Sequence, residues 1–203
     1  MEAKPVTDLP KGAGWLYEPK WDAYRCLAFR DGPHVSIYSK RGTLLNRYFP
    51  EVVAGLAKLK PKKFVLDGEL LVMSNGQPDF DSLQLRMHPA ESRVKKLATE
   101  IPAMLMCFDL LVDAKGKDIR GEIFDDRRNA LEALTRALGR LDLVGLSEIT
   151  RSIGTARSWL KMAGQGLDGI VAKRGDLSYQ PGKRAMQKFK NLEVDRCRRR
   201  RDL

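Results

Sequence analysis

Four segments of this 203-residue sequence set charged side chains inside runs that otherwise read as buried strands. They are Glu18-Pro19-Lys20-Trp21-Asp22-Ala23-Tyr24-Arg25, Asp67-Gly68-Glu69, Asp168-Gly169-Ile170-Val171-Ala172-Lys173-Arg174 and Lys188-Phe189-Lys190. Lysine and carboxylate side chains are rarely buried unless they are paired or functional. Lys188 and Lys190 stand at alternate positions, so they project from one strand face. Lysines on one face with carboxylates nearby make a site for phosphates and a divalent metal. Any one segment alone reads as a hairpin turn or a solvated strand edge. Four together argue for a site.

The elements that must position these residues follow from periodicity. Residues 1–14, rich in Pro, Gly and Lys, read as an extended lead-in. Strand-like runs cover residues 14–17, 24–30 and 34–39, with Asp31-Gly32 as a hairpin turn. Phe49, Val52, Val53, Leu56 and Leu59 have helical spacing. Residues 64–73 read as a buried strand broken at Asp67-Gly68-Glu69, followed by an Asn75-Gly76 turn. A helix over residues 81–98 is interrupted at Pro89, and a second buried strand spans residues 103–112, with Lys115-Gly116 as its turn. Residues 126–140 form an amphipathic helix with Ala130, Leu131, Leu134 and Leu138 on one side, and residues 155–163 a further helix. Residues 169–173 and 185–190 are strand-like. The expected fold class is α+β: one domain over residues 15–190, of antiparallel sheets with helices on their outer faces, and a basic tail over residues 191–203.

Composition narrows the class of function. Hydrophobic residues make up 43% and charged residues 31%, as in a folded globular protein. No apolar run approaches the roughly 20 residues a membrane span needs, and residues 1–12 lack the apolar core of a signal peptide. Cys26, Cys107 and Cys197 suggest no disulfide framework, and with only His34 and His88 they suggest no zinc site. A cytoplasmic, reduced protein fits. The formal net charge is +11, and residues 191–203 supply five arginines against three acids, which leaves +9 on the rest. Polyanions, nucleic acid first, are the expected partners.

The charged segments also resemble a known set of motifs. Lys20-Trp21-Asp22-Ala23-Tyr24-Arg25 resembles the K-x-D-G-x-R nucleophile motif of covalent nucleotidyltransferases: ATP-dependent DNA ligases, RNA ligases and mRNA capping enzymes. Ser39-Lys40-Arg41-Gly42 resembles the second motif and Leu66-Asp67-Gly68-Glu69-Leu70 the third. Cys107-Phe108-Asp109-Leu110-Leu111 resembles the aromatic-Asp strand after it. Asp168-Gly169-Ile170-Val171-Ala172-Lys173 resembles the fourth motif and Met186-Gln187-Lys188-Phe189-Lys190 the fifth. The order is the family's. Gln84-Leu85-Arg86-Met87-His88-Pro89-Ala90-Glu91-Ser92-Arg93 and Tyr179-Gln180-Pro181 look most like the small bacterial ATP-dependent DNA ligases of the C type. Two features depart from the pattern. Ala23 stands where the motif has a glycine that serves backbone freedom or close ligand approach. The family also follows its fifth motif with an OB-fold domain, and residues 191–203 are too few to form one.

The resemblance implies a covalent nucleotidyltransferase (ATP-grasp-like) domain, here free-standing with the OB-fold domain absent, and weak or incomplete as a ligase by itself. It implies that Lys20 is the nucleophile that takes AMP from ATP and passes it to a 5′-phosphate at a DNA nick. A lysine amine attacks only when neutral, although its ordinary pKa is about 10.4; Lys173, Lys188, Lys190 and Mg²⁺ are implied as the cations that disfavour its ammonium form and hold the phosphates. Glu18 would read the adenine edge and Phe108 would stack on its face. Arg25 and Arg41 would contact ribose or phosphates. Glu69 would take a ribose hydroxyl or a metal, and Asp168 would hold Mg²⁺. Asp22 and Asp67 are expected to anchor turns. Nicked double-stranded DNA is the implied partner of a monomer in the bacterial cytoplasm, associated with the nucleoid, and a separate DNA-binding or repair protein is a further candidate. Two other readings stay open: an RNA ligase or capping-type nucleotidyltransferase, and a non-catalytic nucleic-acid-binding module that keeps a nucleotide pocket.

Overall fold

A computed structural model describes residues 1–138, 143–161 and 167–190. In chain order the elements are β1 (Ala3–Val6), β2 (Trp15–Trp21), β3 (Tyr24–Asp31), β4 (His34–Ser39), α1 (Pro50–Ala57), β5 (Lys63–Ser74), β6 (Gln77–Pro78) and α2 (Phe80–Leu85). They continue with α3 (Glu91–Glu100), β7 (Ala103–Val112), α4 (Phe124–Leu138), β8 (Val144–Leu146), α5 (Ile153–Leu160), β9 (Leu167–Arg174) and β10 (Met186–Lys190). One sheet has the strand order β1-β10-β9-β2; the other runs β4-β3-β5-β7-β8, with β6 paired to β5. The α+β class is as expected, and no helix among the described residues is long and apolar enough to cross a membrane.

Alternation builds the larger sheet. Cys26 and Ala28 of β3, Phe64, Leu66, Leu70 and Val72 of β5, and Ala103, Leu105 and Cys107 of β7 point to one face. There they bury against Val52 and Leu56 of α1, Leu83 of α2, and Leu131 and Leu134 of α4. Pro50 occupies the first turn of α1, where its missing N–H costs nothing. Asp79 caps α2 by accepting from the Ser82 N–H at 3.0 Å. Ser152 caps α5, whose Ala156 and Trp159 cover Tyr17, Ile170 and Ala172 of the smaller sheet. The chain passes between the sheets in one short step: β2 ends at Trp21, and β3 opens at Tyr24 in the other sheet.

Several expectations need correction. The sheets are mixed rather than antiparallel, because β1 runs parallel to β10 and β8 parallel to β7. The lead-in is tied down by β1, which edges the smaller sheet. β5 is continuous through Asp67-Gly68-Glu69; the charged step is absorbed by a register shift against β7 between Asp67 and Gly68. A side chain at Gly68 would stand 2.6 Å from the Met106 carbonyl oxygen, so glycine is needed there for strand approach. Ala23 carries no strain: Asn75 is the only non-glycine residue with positive φ among the described residues. The expected ends of the fourth and fifth helices at residues 140 and 163, and the basic tail over residues 191–203, lie outside the described residues.

Candidate active site

The step from β2 to β3 leaves a cavity of about 400 Å³ between the two sheets. All four charged segments reach it. Lys20 is the penultimate residue of β2, opposite Gly169 of β9, and the β2–β9 pairing slips between Lys20 and Trp21. Gly169 has φ +141, and a Cβ there would fall 2.0 Å from the Phe189 carbonyl oxygen, so only glycine lets β10 close on β9 beside the lysine. The Trp21 indole N–H donates to Ser147 Oγ at 3.1 Å and fixes the wall beside Lys20.

One end of the cavity is cationic. Lys20 Nζ donates to Asp168 Oδ2 at 2.5 Å, and Lys190 Nζ lies 3.3 Å from the same oxygen. Lys188, Lys40 and Arg184 line the cavity on this side. Burial lowers the Lys188 pKa, and the charges of Lys20 and Lys190 lower it further. Glu69 faces Lys20 and Arg25; burial pushes its carboxyl up to about 7 against the pull of those two cations. Arg25 is held by Asp67 through two hydrogen bonds, Nε to Oδ1 at 3.0 Å and Nη2 to Oδ2 at 2.6 Å, and it also donates to the Met1 carbonyl. The Tyr179 hydroxyl donates to Asp67 Oδ2 at 2.8 Å. Asp67 therefore anchors a side chain that reaches the cavity rather than the expected turn, since it lies inside β5.

The other end offers the Phe108 ring and the Val171 side chain beside a buried carboxylate–lysine pair, with Arg25 5.6 Å from the Phe108 centroid. Phe108 and Val171 line it together with Glu18 and Lys173. Glu18 and Lys173 are 3% and 2% exposed, and Lys173 Nζ lies 2.7 Å from Glu18 Oε2. Glu18 Oε1 is buried and has no hydrogen-bond partner among the described residues. Burial raises the Glu18 pKa, and Lys173 is the chief opposing influence. Behind this end, Arg127 grips Asp109 with Nε to Oδ1 at 2.8 Å and Nη2 to Oδ2 at 2.9 Å, with both side chains buried.

The cavity wall thus gathers Glu18, Lys20, Arg25, Glu69, Phe108, Lys173 and Lys188 of the residues singled out from sequence. Asp168 joins through Lys20, and Lys190 through Asp168. Arg41 is not brought in: it is exposed on the turn after β4, and its neighbour Lys40 lines the cavity, 3.1 Å from Glu2. Arg184 was missed. Its signal was available, because Arg184, Met186 and Lys188 stand at alternate positions and all three line the cavity. Nothing in the sequence pairs Asp109 with Arg127 or Glu18 with Lys173; those contacts join separate elements.

Comparison with known proteins gives the family and the fold. A family model described as "ATP dependent DNA ligase domain" matches residues 1–190. DNA ligase C of Mycobacterium tuberculosis is 42% identical over 200 residues, covering 97% of this chain and 55% of that protein. A DNA ligase of Thermococcus onnurineus is 31% identical over 185 residues, covering 90% of this chain and 33% of that protein. The chain spans about half the length of the mycobacterial relative. Among solved structures, "mycobacterial DNA ligase D complexed with ATP and MES" is similar with a TM-score of 0.70 at 27% identity, covering 94% of this chain and 60% of that one.

Proposed function

Since the chain belongs to the ATP-dependent DNA ligase family, as that family's adenylation domain, we propose that Lys20 attacks the α-phosphorus of ATP. The Nζ–P bond forms, the bond to the pyrophosphate oxygen breaks, and the amine proton leaves to solvent or a neighbouring base. The AMP so held then passes to a 5′-phosphate at a nick in double-stranded DNA, and the 3′-hydroxyl displaces it to seal the strand. The observation that carries this reading is the cavity itself: a lysine amine on its wall, a group of cations beside it, and the Phe108 and Val171 side chains next to a buried carboxylate held by Lys173. Phe108 and Val171 offer faces to a purine, and Glu18 Oε1 offers an acceptor to its amino edge. Lys188, Lys40, Arg184 and Arg25 hold phosphate oxygens, whose charge grows as pyrophosphate departs. Asp168, by accepting from Nζ, orients the amine toward the cavity.

Mg²⁺ fits this donor set. Mg²⁺ is held by one or two carboxylates together with substrate phosphates and waters, rather than by an all-protein cage. Glu69 and Asp168 are two such carboxylates beside the phosphate-holding cations, and no group of three or more metal-ligating side chains exists among the described residues. When bound, the ion would neutralise phosphate charge. We take residues 15–190 together with β1 as the folded unit, and nicked duplex DNA as its partner, drawn by the positive charge.

The test is incubation of the purified chain with labelled ATP and Mg²⁺, followed by a search for acid-labile, protein-bound AMP. Wild type should acquire label. Lys20→Ala should acquire none while melting near the wild-type temperature, because Asp168 keeps Lys190. Equal label on Lys20→Ala would overturn the assignment, and no label on wild type would overturn the activity.

A further inference from the structure

Lys173 has a different task from the phosphate-holding one that the resemblance implies. The cations that act on Lys188 are Lys20, Lys190 and Lys40, all at the phosphate end. Lys173 turns away from them. Its ammonium lies 4.2 Å from the centroid of Phe108 and 4.8 Å from that of Phe124, and 2.7 Å from Glu18 Oε2. Lys173 pairs with Leu16 across the β2–β9 ladder while Glu18 pairs with Val171. The two side chains are therefore diagonal neighbours on one face, within reach for long side chains. Two aromatic rings and a buried carboxylate fix the ammonium in one place.

We propose that Lys173 sets the base specificity of the site by holding the Glu18 carboxylate as a pure acceptor, whose free Oε1 selects a purine amino group over a carbonyl. An ionised carboxylate has only acceptor sites, whereas a protonated one can also donate. An amino group at the six position donates to Oε1, whereas a carbonyl there sets lone pair against lone pair. Burial favours the protonated form, which would accept either base. Lys173 is the chief counterweight; the other charges that act on Glu18 are Arg128 of α4, which helps, and Asp109 of β7, which opposes. Lys173 is on this account a positioning residue that acts through Glu18. A site built around a hydrogen bond rejects the mismatched partner far more strongly than an apolar slot does, because the mismatch leaves a buried polar group unpaired.

The inference rests on the adenylylation reading above, and the experiment separates the two. Initial rates of covalent labelling with ATP and with GTP are measured for wild type, Lys173→Met, Glu18→Gln and the double variant, with melting temperatures alongside. Lys173→Met should raise the KM for ATP with kcat changed far less, and should shrink the preference for ATP over GTP by at least about ten-fold. Its KM for ATP should also climb as pH falls from about 8 to about 6, while that of wild type stays flatter, because the unsupported carboxyl takes up a proton. Glu18→Gln leaves Lys173 buried without its anion and should also bind ATP poorly. The double variant removes both charges and keeps an amide that can present either its oxygen or its nitrogen. It should regain ATP affinity over either single variant without regaining the preference. Unchanged ATP–GTP preference in Lys173→Met overturns the inference. So does equal loss of both nucleotides with a lowered melting temperature that the double variant does not repair. If wild type takes no label, the activity reading fails, and equilibrium binding of ATP against GTP to wild type and Lys173→Met decides the inference by itself.

Discussion

The two faces of the larger sheet bury opposite chemistry. On one, Leu66, Leu70 and Leu105 meet the helices, and the charges buried there serve only the scaffold: Arg30 donates to the carbonyls of Leu56, Ala57 and Leu59 at the end of α1, and Arg86 pairs with Glu51. On the other, Arg25 and Glu69 line the cavity, and Asp67 and Asp109 sit directly opposite each other across β5 and β7. Two like charges at paired positions destabilise a sheet. Here each carboxylate is taken by its own arginine, Arg25 for Asp67 and Arg127 for Asp109. The first face is what stability alone would select, since burial of apolar area is favourable without geometric conditions. The second is costly to desolvate, and apolar replacement of such pairs is often neutral or better for stability. Its retention beside the cavity fits a role in placing Arg25, Phe108 and Glu18.

The sharpest way to break this contrast is to remove one partner behind the cavity. Arg127→Met leaves Asp109 buried, unpaired and facing Asp67; losing one half of a buried pair costs about 3–5 kcal/mol. For a chain of this size that lowers the melting temperature on the order of 10 °C. Adding Asp109→Leu should recover most of the loss in the melt and little of the labelling rate. Full recovery of both would show the pair to be structural only. On the apolar face, Leu70→Ala should cost about 2–5 kcal/mol through the cavity it leaves, with the KM for ATP unchanged in the surviving folded protein. A KM that moves with Leu70 would show that the two faces are not separable.

The apolar face was legible in the sequence and the charged one only half so. Alternation and helical spacing depend on near neighbours, and they located β7 at Ala103–Val112 with the bounds found. The same local rules missed β1 and β8, short strands whose existence depends on parallel partners far along the chain. The site residues stood out because charge interrupted apolar runs, but side-chain direction was invisible. Lys173 and Lys188 looked alike as basic residues, yet one turns to Glu18 and Phe108 and the other to the phosphate end. Alternation carried one residue further would have added Arg184 to Lys188.

Phe108 lies on the charged face but does apolar work, and it sharpens the contrast at a smaller scale. Its ring lines the slot and is 9% exposed. Stacking supports ground and transition states alike, so Phe108→Ala should raise the KM for ATP by about ten-fold with a smaller change in kcat. Unchanged KM with a lowered melting temperature would place Phe108 with the core instead.

The smallest expected effect tests where the cavity stops. Resemblance puts Arg41 at the phosphates, but the turn after β4 aims Lys40 at the cavity and leaves Arg41 exposed outside it. The turn itself makes the difference: the Gly42 N–H donates to the Ser39 carbonyl at 2.9 Å, and of the two residues enclosed only Lys40 lines the cavity. Lys40 is itself largely solvated and shared with Glu2, and exposed ion pairs are screened by water and salt. Lys40→Ala should therefore weaken ATP binding only a few-fold, most visibly at low salt. Arg41→Ala should change it less than Lys40→Ala does, with both variants melting as wild type. Labelling rates against ATP concentration at two salt concentrations measure both. A larger loss for Arg41→Ala would mean that the turn after β4 rearranges when nucleotide enters, bringing the fork of an arginine to the phosphates in place of the lysine.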